Sequence, residues 1–167
     1  GEISVHAAKQ ELIRPHVVHN SGDNEWYTPS DIIEAARTVM GKIELDPASS
    51  VEANKVVKSK TFYTVKDDGL KHKWAGKVWM NPPYAADLVG KFVDKLISSV
   101  NSTKVTEAVI LLNNGTETKW FHSLAKLSSH MCFPLGRVKF WKSNKAEETL
   151  TPLQGQCFFY IGKNGKR

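Results

Sequence analysis

An apolar run, Lys77-Val78-Trp79-Met80, stops abruptly at Asn81-Pro82-Pro83-Tyr84. Proline offers no N–H to a strand ladder and pushes the residue before it into extended geometry, so a buried strand must end at Met80 and the loop beyond it is stiff. Just downstream, Leu88, Val89, Phe92, Val93, Leu96 and Ile97 recur at helical spacing, which predicts an amphipathic helix to about Ser99. A strand, a rigid loop and a helix in that order form the unit from which α/β layers are built.

The rest of the chain alternates in the same way. Thr28 to Met40 reads as a helix, with Thr28 as cap, Pro29 at its first position and Gly41 as its stop. A short strand is expected over Lys42 to Asp46, and Ser49 and Glu52 have capping-box spacing for a second helix. Residues 55 to 75 are less regular, with a β-prone patch at Thr61 to Val65 and a turn at Asp67-Asp68-Gly69. Further strands are expected at Glu107 to Leu112, Met131 to Phe133, Arg137 to Trp141 and Gln156 to Gly162, with a helix over Trp120 to Leu127. The prediction is a layered α/β sheet.

Composition narrows the functional classes. With 167 residues and 41% apolar side chains, the chain can bury a core of its own. No run approaches the roughly 20 apolar residues of a bilayer span, and the first residues lack the apolar centre of a signal peptide, so a cytoplasmic protein is expected. The net charge of +6 suits a polyanionic partner without proving one. Cys132 and Cys157 have no zinc spacing and are expected as reduced core residues, and the six histidines form no ligand pattern, so no metal is expected.

In an open α/β sheet, ligands sit outside the carboxyl ends of the strands. Two loops follow apolar strands with polar residues: Asp46-Pro47-Ala48-Ser49 and Asn81-Pro82-Pro83-Tyr84. In the second, the Asn81 amide oxygen and the Pro82 carbonyl are acceptors that can converge on one flat NH₂ group. Tyr84 can offer a ring face for a base to stack on. A rigid surface turn with a core tyrosine is the plainer reading of the same residues.

The Asn-Pro-Pro-Tyr loop resembles the catalytic motif of amino-methyltransferases that use S-adenosylmethionine, above all the DNA adenine N6 enzymes. The ordered set of Trp26-Tyr27-Thr28-Pro29, Leu45-Asp46-Pro47-Ala48-Ser49, Asn54, Asp68-Gly69-Leu70, Trp74, Asn81-Pro82-Pro83-Tyr84, Thr118, Trp120-Phe121 and Gly136-Arg137 is similar to the small phage-type DNA N-6-adenine-methyltransferases. The likeness covers about residues 24 to 162. It implies a Rossmann-like, mostly parallel sheet with an antiparallel C-terminal strand and helices on both faces. The implied organisation is an arm at residues 1–24, one methyltransferase domain at 25–162 and a basic tail at 163–167.

The same resemblance implies roles. Asn81, Pro82, Pro83 and Tyr84 would form the catalytic loop. Asp46 and Pro47 would lie near the methionine part of S-adenosylmethionine, with Ala48 and Ser49 small enough for close approach where relatives carry glycines. Trp26, Tyr27, Thr28 and Pro29 match the segment that closes over the cofactor. Asp68, or its neighbour Asp67, would accept from the cofactor's adenine amino group, and no acidic residue is evident for the ribose. Arg137, Lys139, Lys142 and Lys145 are the candidates for DNA phosphate contacts. The implied partner is double-stranded DNA inside a bacterial host, with monomer and homodimer both open. Cytosine N4, an RNA base or a protein glutamine presents the same NH₂ group, and a basic DNA-binding module without catalysis is the reading from another class.

Overall fold

The computed structural model describes residues 27–142, 145–150 and 154–163. The arm, Trp26, residues 164–167 of the tail, and the side chains of Lys142 and Lys145 lie outside the described residues. The elements in chain order are α1 (Ser30–Met40), β1 (Leu45–Asp46), α2 (Val51–Val57), β2 (Thr61–Phe62), a 3₁₀ turn (Gly69–Lys71), β3 (Gly76–Met80), α3 (Ala86–Asn101), β4 (Val105–Asn113), α4 (Lys119–Leu127), β5 (His130–Cys132), β6 (Phe140–Lys142), β7 (Lys145–Leu150) and β8 (Gln156–Ile161).

One sheet carries the fold, in the order β2-β1-β3-β4-β8-β5. The first four strands run parallel, while β8 is antiparallel to both β4 and β5. This is the mostly parallel, Rossmann-like arrangement expected, closed by an antiparallel C-terminal strand. A separate hairpin pairs β6 with β7. No helix among the described residues is long and apolar enough to cross a membrane.

Alternation along the central strands sorts side chains onto two covered faces. Val78 and Met80 of β3 join Ala108, Ile110 and Leu112 of β4 in a core under α3 and α4, through Phe92, Val93, Leu96, Phe121 and Leu124. Trp79, Val109 and Leu111 point the other way, into a core with Ile33, Ala36 and Met40 of α1, Val57 of α2 and Phe140. A one-residue slip of β3 would exchange Trp79 with its neighbours and unfit both cores at once, so its register is fixed.

Several local expectations are corrected. Thr28 does not cap α1; the capping position is Pro29, which has no side-chain bond to give. The cap of α2 is Ser50 rather than Ser49, its hydroxyl accepting from the Ala53 amide at 3.0 Å. Only Leu45–Asp46 of the expected first strand pairs as strand. The strand expected from Arg137 begins at Phe140, because Gly136 turns the chain at φ +84 and the Val138 amide bonds the Gln156 side chain instead of a neighbouring strand. Cys157 is buried as expected, but Cys132 is exposed. It lies on β5, the edge strand, where Met131 alone of the three residues packs onto the core.

The 3₁₀ turn is locked against the end of β1. A methyl group on Gly69 would lie 1.9 Å from the Pro47 carbonyl oxygen, an impossible contact with backbone, and the buried Trp74 indole donates to the Gly69 carbonyl at 2.8 Å. Gly69→Ala must therefore push the turn away from Pro47, and we expect a loss of about 2 kcal/mol or more in unfolding free energy by chemical denaturation. A neutral result would show that the two loops are not in backbone contact.

Candidate active site

Strand order places the site. From β1 the chain moves outward to β2 on one side, while β3 and β4 continue on the other, so the direction of winding reverses between β1 and β3. Such a switch point opens a crevice at the carboxyl ends of the strands. Leu45 lies in register with Val78, so the loops after Asp46 and after Met80 emerge side by side.

Asp46 is 2% exposed, and its carboxylate accepts from the Ala48 amide at 3.3 Å. Burial pushes its carboxyl up to about 7, against a smaller downward pull from the Ser49 hydroxyl and the Ala48 amide. The Ser49 hydroxyl is close enough to be felt, yet it is itself buried without a hydrogen-bond partner among the described residues. An acidic group shielded from water beside an unsatisfied hydroxyl is suited to a ligand carrying positive charge and hydrogen-bonding groups. Next to it, Ser49, Ser50, Val51, Glu52, Thr64, Val65 and Lys66 line a cavity of about 380 Å³. Glu52 is the acidic side chain in that lining, a position that strand-end reasoning passed over because it lies on α2 rather than at the end of β2.

The Asn81 amide is clamped from both ends. Its nitrogen donates to the Thr28 hydroxyl at 3.1 Å, and its oxygen accepts from the Tyr84 hydroxyl at 2.8 Å. Thr28 is thus withheld from the helix and engaged with the loop 53 residues away. Burial pushes the Tyr84 phenol above its ordinary value, with a smaller push from the Cys157 sulfur, so it remains a proton donor. The Asn81 oxygen keeps a second lone pair, and among the described residues the Pro82 carbonyl accepts no backbone hydrogen bond. Pro82 is buried, Pro83 exposed, and Asn81 and Tyr84 half-buried.

Tyr27 and Thr28 are held over this region by a residue the sequence did not single out. Trp141 exchanges backbone hydrogen bonds with Tyr27 at 2.9 and 3.1 Å, its ring lies 4.6 Å from the Tyr27 ring, and its indole donates to the Thr28 carbonyl at 3.3 Å. Tyr27 also accepts from the Ser50 hydroxyl at 3.3 Å, tying the segment to the cavity lining. Neighbouring Phe140 meets the Tyr84 ring edge-on at 6.5 Å. The bond between Trp141 and Thr28 spans 113 residues and has no local signal.

The two aspartates of the turn separate in role. Asp67 accepts from the amide and hydroxyl of Thr64, bonds that hold its carboxyl below the ordinary range. Asp68 sits at positive φ, caps the Leu70 amide at 3.2 Å and pairs with Lys71 at 3.2 Å, beside the Gly69 contact with Pro47. Arg137 and Lys139 are exposed in the loop before β6. Among the described residues no group of His, Cys, Asp and Glu is placed to hold a metal.

A doubly wound sheet with paired polar loops at its switch point is the architecture in which α/β proteins place a ligand crevice. A family model described as DNA N-6-adenine-methyltransferase (Dam) matches residues 16–164, and the chain belongs to that family. It is similar to the DNA N-6-adenine-methyltransferase of Escherichia phage T1, at 35% identity over 99 residues, which is 58% of this chain and 38% of that protein. The chain thus spans about two-fifths of that relative's length.

Asp46 also makes a prediction about stability. It ionises at 3.8 when unperturbed and at about 7 in the fold, so between those values the native state holds more protons than the unfolded one. Stability from this group is complete below pH 4 and declines as pH rises through about 7. Asp46→Asn is expected to raise the unfolding free energy by about 2–4 kcal/mol at pH 8 and to leave it unchanged at pH 4, in denaturation at both values. A difference independent of pH would show that no buried ionisation occurs there.

Proposed function

We propose that this chain forms the catalytic unit of a DNA methyltransferase that transfers a methyl group from S-adenosylmethionine to the exocyclic N6 of an adenine flipped out of the duplex. The observation that carries the reading is the clamped Asn81 amide, beside a buried acidic loop at the switch point. When bound, S-adenosylmethionine supplies an electrophilic methyl group on a positively charged sulfur. Asp46 and the unpartnered Ser49 hydroxyl suit its cationic methionine end, and the cavity beside Glu52 and Val65 suits its nucleoside end. Tyr27 meets that lining through the Ser50 hydroxyl, and Asp68 adjoins Gly69, which packs on the Pro47 carbonyl.

Adenine's amino nitrogen is a weak nucleophile because its lone pair is delocalised into the ring. The Asn81 oxygen and the Pro82 carbonyl would accept hydrogen bonds from its two N–H groups, which favours a pyramidal nitrogen with its lone pair available for attack. The new N–C bond replaces the C–S bond, the neutral thioether is the leaving group, and one N6 proton is released to solvent. The loop's rigidity matters because positioning is the main source of rate in such an in-line transfer. Tyr84 fixes the Asn81 oxygen through its hydroxyl, and its ring is the group on which the flipped base would stack. Thr28 fixes the nitrogen end, so the segment that would close over the cofactor would also orient the catalytic amide.

The test is to incubate the protein with unmethylated DNA, and separately RNA, with labelled S-adenosylmethionine, then digest to nucleosides. N6-methyladenine from DNA alone is the expected product. Label on cytosine, on RNA or on protein would reassign the substrate, and no cofactor binding by calorimetry would sink the enzyme reading in favour of a DNA-binding module. Asn81→Ala should abolish turnover with cofactor affinity nearly intact. Thr28→Val should lower kcat roughly tenfold, about the worth of one hydrogen bond, and Thr28→Ser should restore most of it. Wild-type kcat in Thr28→Val would remove Thr28 as a positioning residue.

A further inference from the structure

We propose that the loop 133–139 is a DNA wedge, in which the apolar tip Phe133-Pro134-Leu135 enters the base stack beside the flipped nucleotide while Lys139 meets the phosphate backbone. The proposal rests on the DNA-methyltransferase reading above.

Topology puts the loop on the working edge. Because β5 and β4 are both antiparallel to β8, they run the same way, and the chain leaves β5 at the edge from which Asn81 emerges. The registers Cys132 with Phe158, Phe158 with Leu111, and Met80 with Ile110 set the loop just beyond the level of Met80. Three strand spacings, roughly 14 Å, separate it sideways from the catalytic loop. A duplex presenting a flipped base at Asn81 would therefore lie against it.

The chemistry of the loop is unusual for a surface. Phe133 is 57% exposed and Leu135 fully so, with Pro134 stiffening the backbone between them. Scattered apolar residues on a surface are ordinary, but two large ones in a three-residue tip, followed by exposed Lys139, combine a wedge with a cation. Its far limb is anchored. The Val138 amide donates to the Gln156 side chain at 3.0 Å, and Gln156 in turn donates to the Asn113 side chain at 3.2 Å. The chain then reaches Phe140, whose ring meets Tyr84. A fixed limb and an exposed apolar tip suit a group that must displace stacked bases, since flipping costs a few kcal/mol of stacking that a filler can offset. Duplex DNA is a better occupant than a second copy of the chain, because a self-complementary contact at this tip would bring Lys139 of both copies together.

The experiment uses closed-circular plasmid DNA, which needs no knowledge of the target sequence. Protein is bound in the presence of the demethylated cofactor, and DNA affinity, its salt dependence and unwinding after topoisomerase relaxation are measured. Phe133→Ser and Leu135→Ser should bind roughly tenfold more weakly with an unchanged salt slope and lose the unwinding, while cofactor affinity and circular dichroism stay the same. Lys139→Ala should lower the salt slope by about one. Wild-type affinity and unwinding in both serine variants would overturn the wedge while leaving methyl transfer intact. Loss of self-association in sedimentation with normal DNA binding would instead make the tip a contact between copies, and also overturn it. Absence of both DNA binding and methyl transfer in the wild type would remove the functional reading and the wedge together.

Discussion

Strand β3 is buried on both faces, and most of the molecule's organisation follows from that constraint. A strand whose alternate side chains feed two apolar cores cannot slide, so the point at which it ends is as fixed as its register. Pro82 and Pro83 then deny the chain any continuation of the ladder. Asn81 is consequently delivered to the sheet edge in one place, with β1 on one side and β4 on the other. The clamp from Thr28 and Tyr84 refines the direction of its amide; the sheet has already decided its location.

Polar chemistry is divided between the two ends of the strands. At the amino end, Lys77 bonds Glu107 at 3.0 Å and also the Met40 carbonyl, and the Tyr160 hydroxyl donates to Glu107. These groups satisfy one another, as buried charges must. At the carboxyl end, Asp46 is buried and accepts from the Ala48 amide, and among the described residues no cation pairs with it and the Ser49 hydroxyl has no hydrogen-bond partner. The first arrangement satisfies itself, whereas the second leaves a buried hydroxyl without a partner among the described residues. That asymmetry is what marks the carboxyl end as the candidate site, independently of any resemblance.

Many residues in the family-like pattern prove to serve the scaffold. Asn54 accepts from the amide and hydroxyl of Ser59, closing the end of α2, and Thr118 caps α4 through the Phe121 amide. Gly69 and Trp74 hold the 3₁₀ turn against Pro47. Local rules anticipated some of these but misjudged the competition for side chains. Thr28 and Ser49 both have good capping chemistry, yet Thr28 is taken by Asn81 and Ser50 has the extended backbone that a cap requires. Exposed Cys132 shows the same limit, since nothing in a short apolar strand tells whether it lies at an edge of the sheet.

What the sequence by itself determined was everything carried by short-range chemistry. The end of β3 at two prolines, the amphipathic face of α3, the alternation that makes an α/β sheet and the Asn-Pro-Pro-Tyr loop are all written within a few residues. Tertiary structure alone decided which loops meet. It set the loop after Asp46 beside the loop after Met80, Gly69 on Pro47, Glu52 in the cavity lining, and Trp141 over Tyr27 across more than a hundred residues. The physical reason is that such contacts depend on strand order, and strand order is chosen by the joint packing of two cores rather than by any one segment's preference.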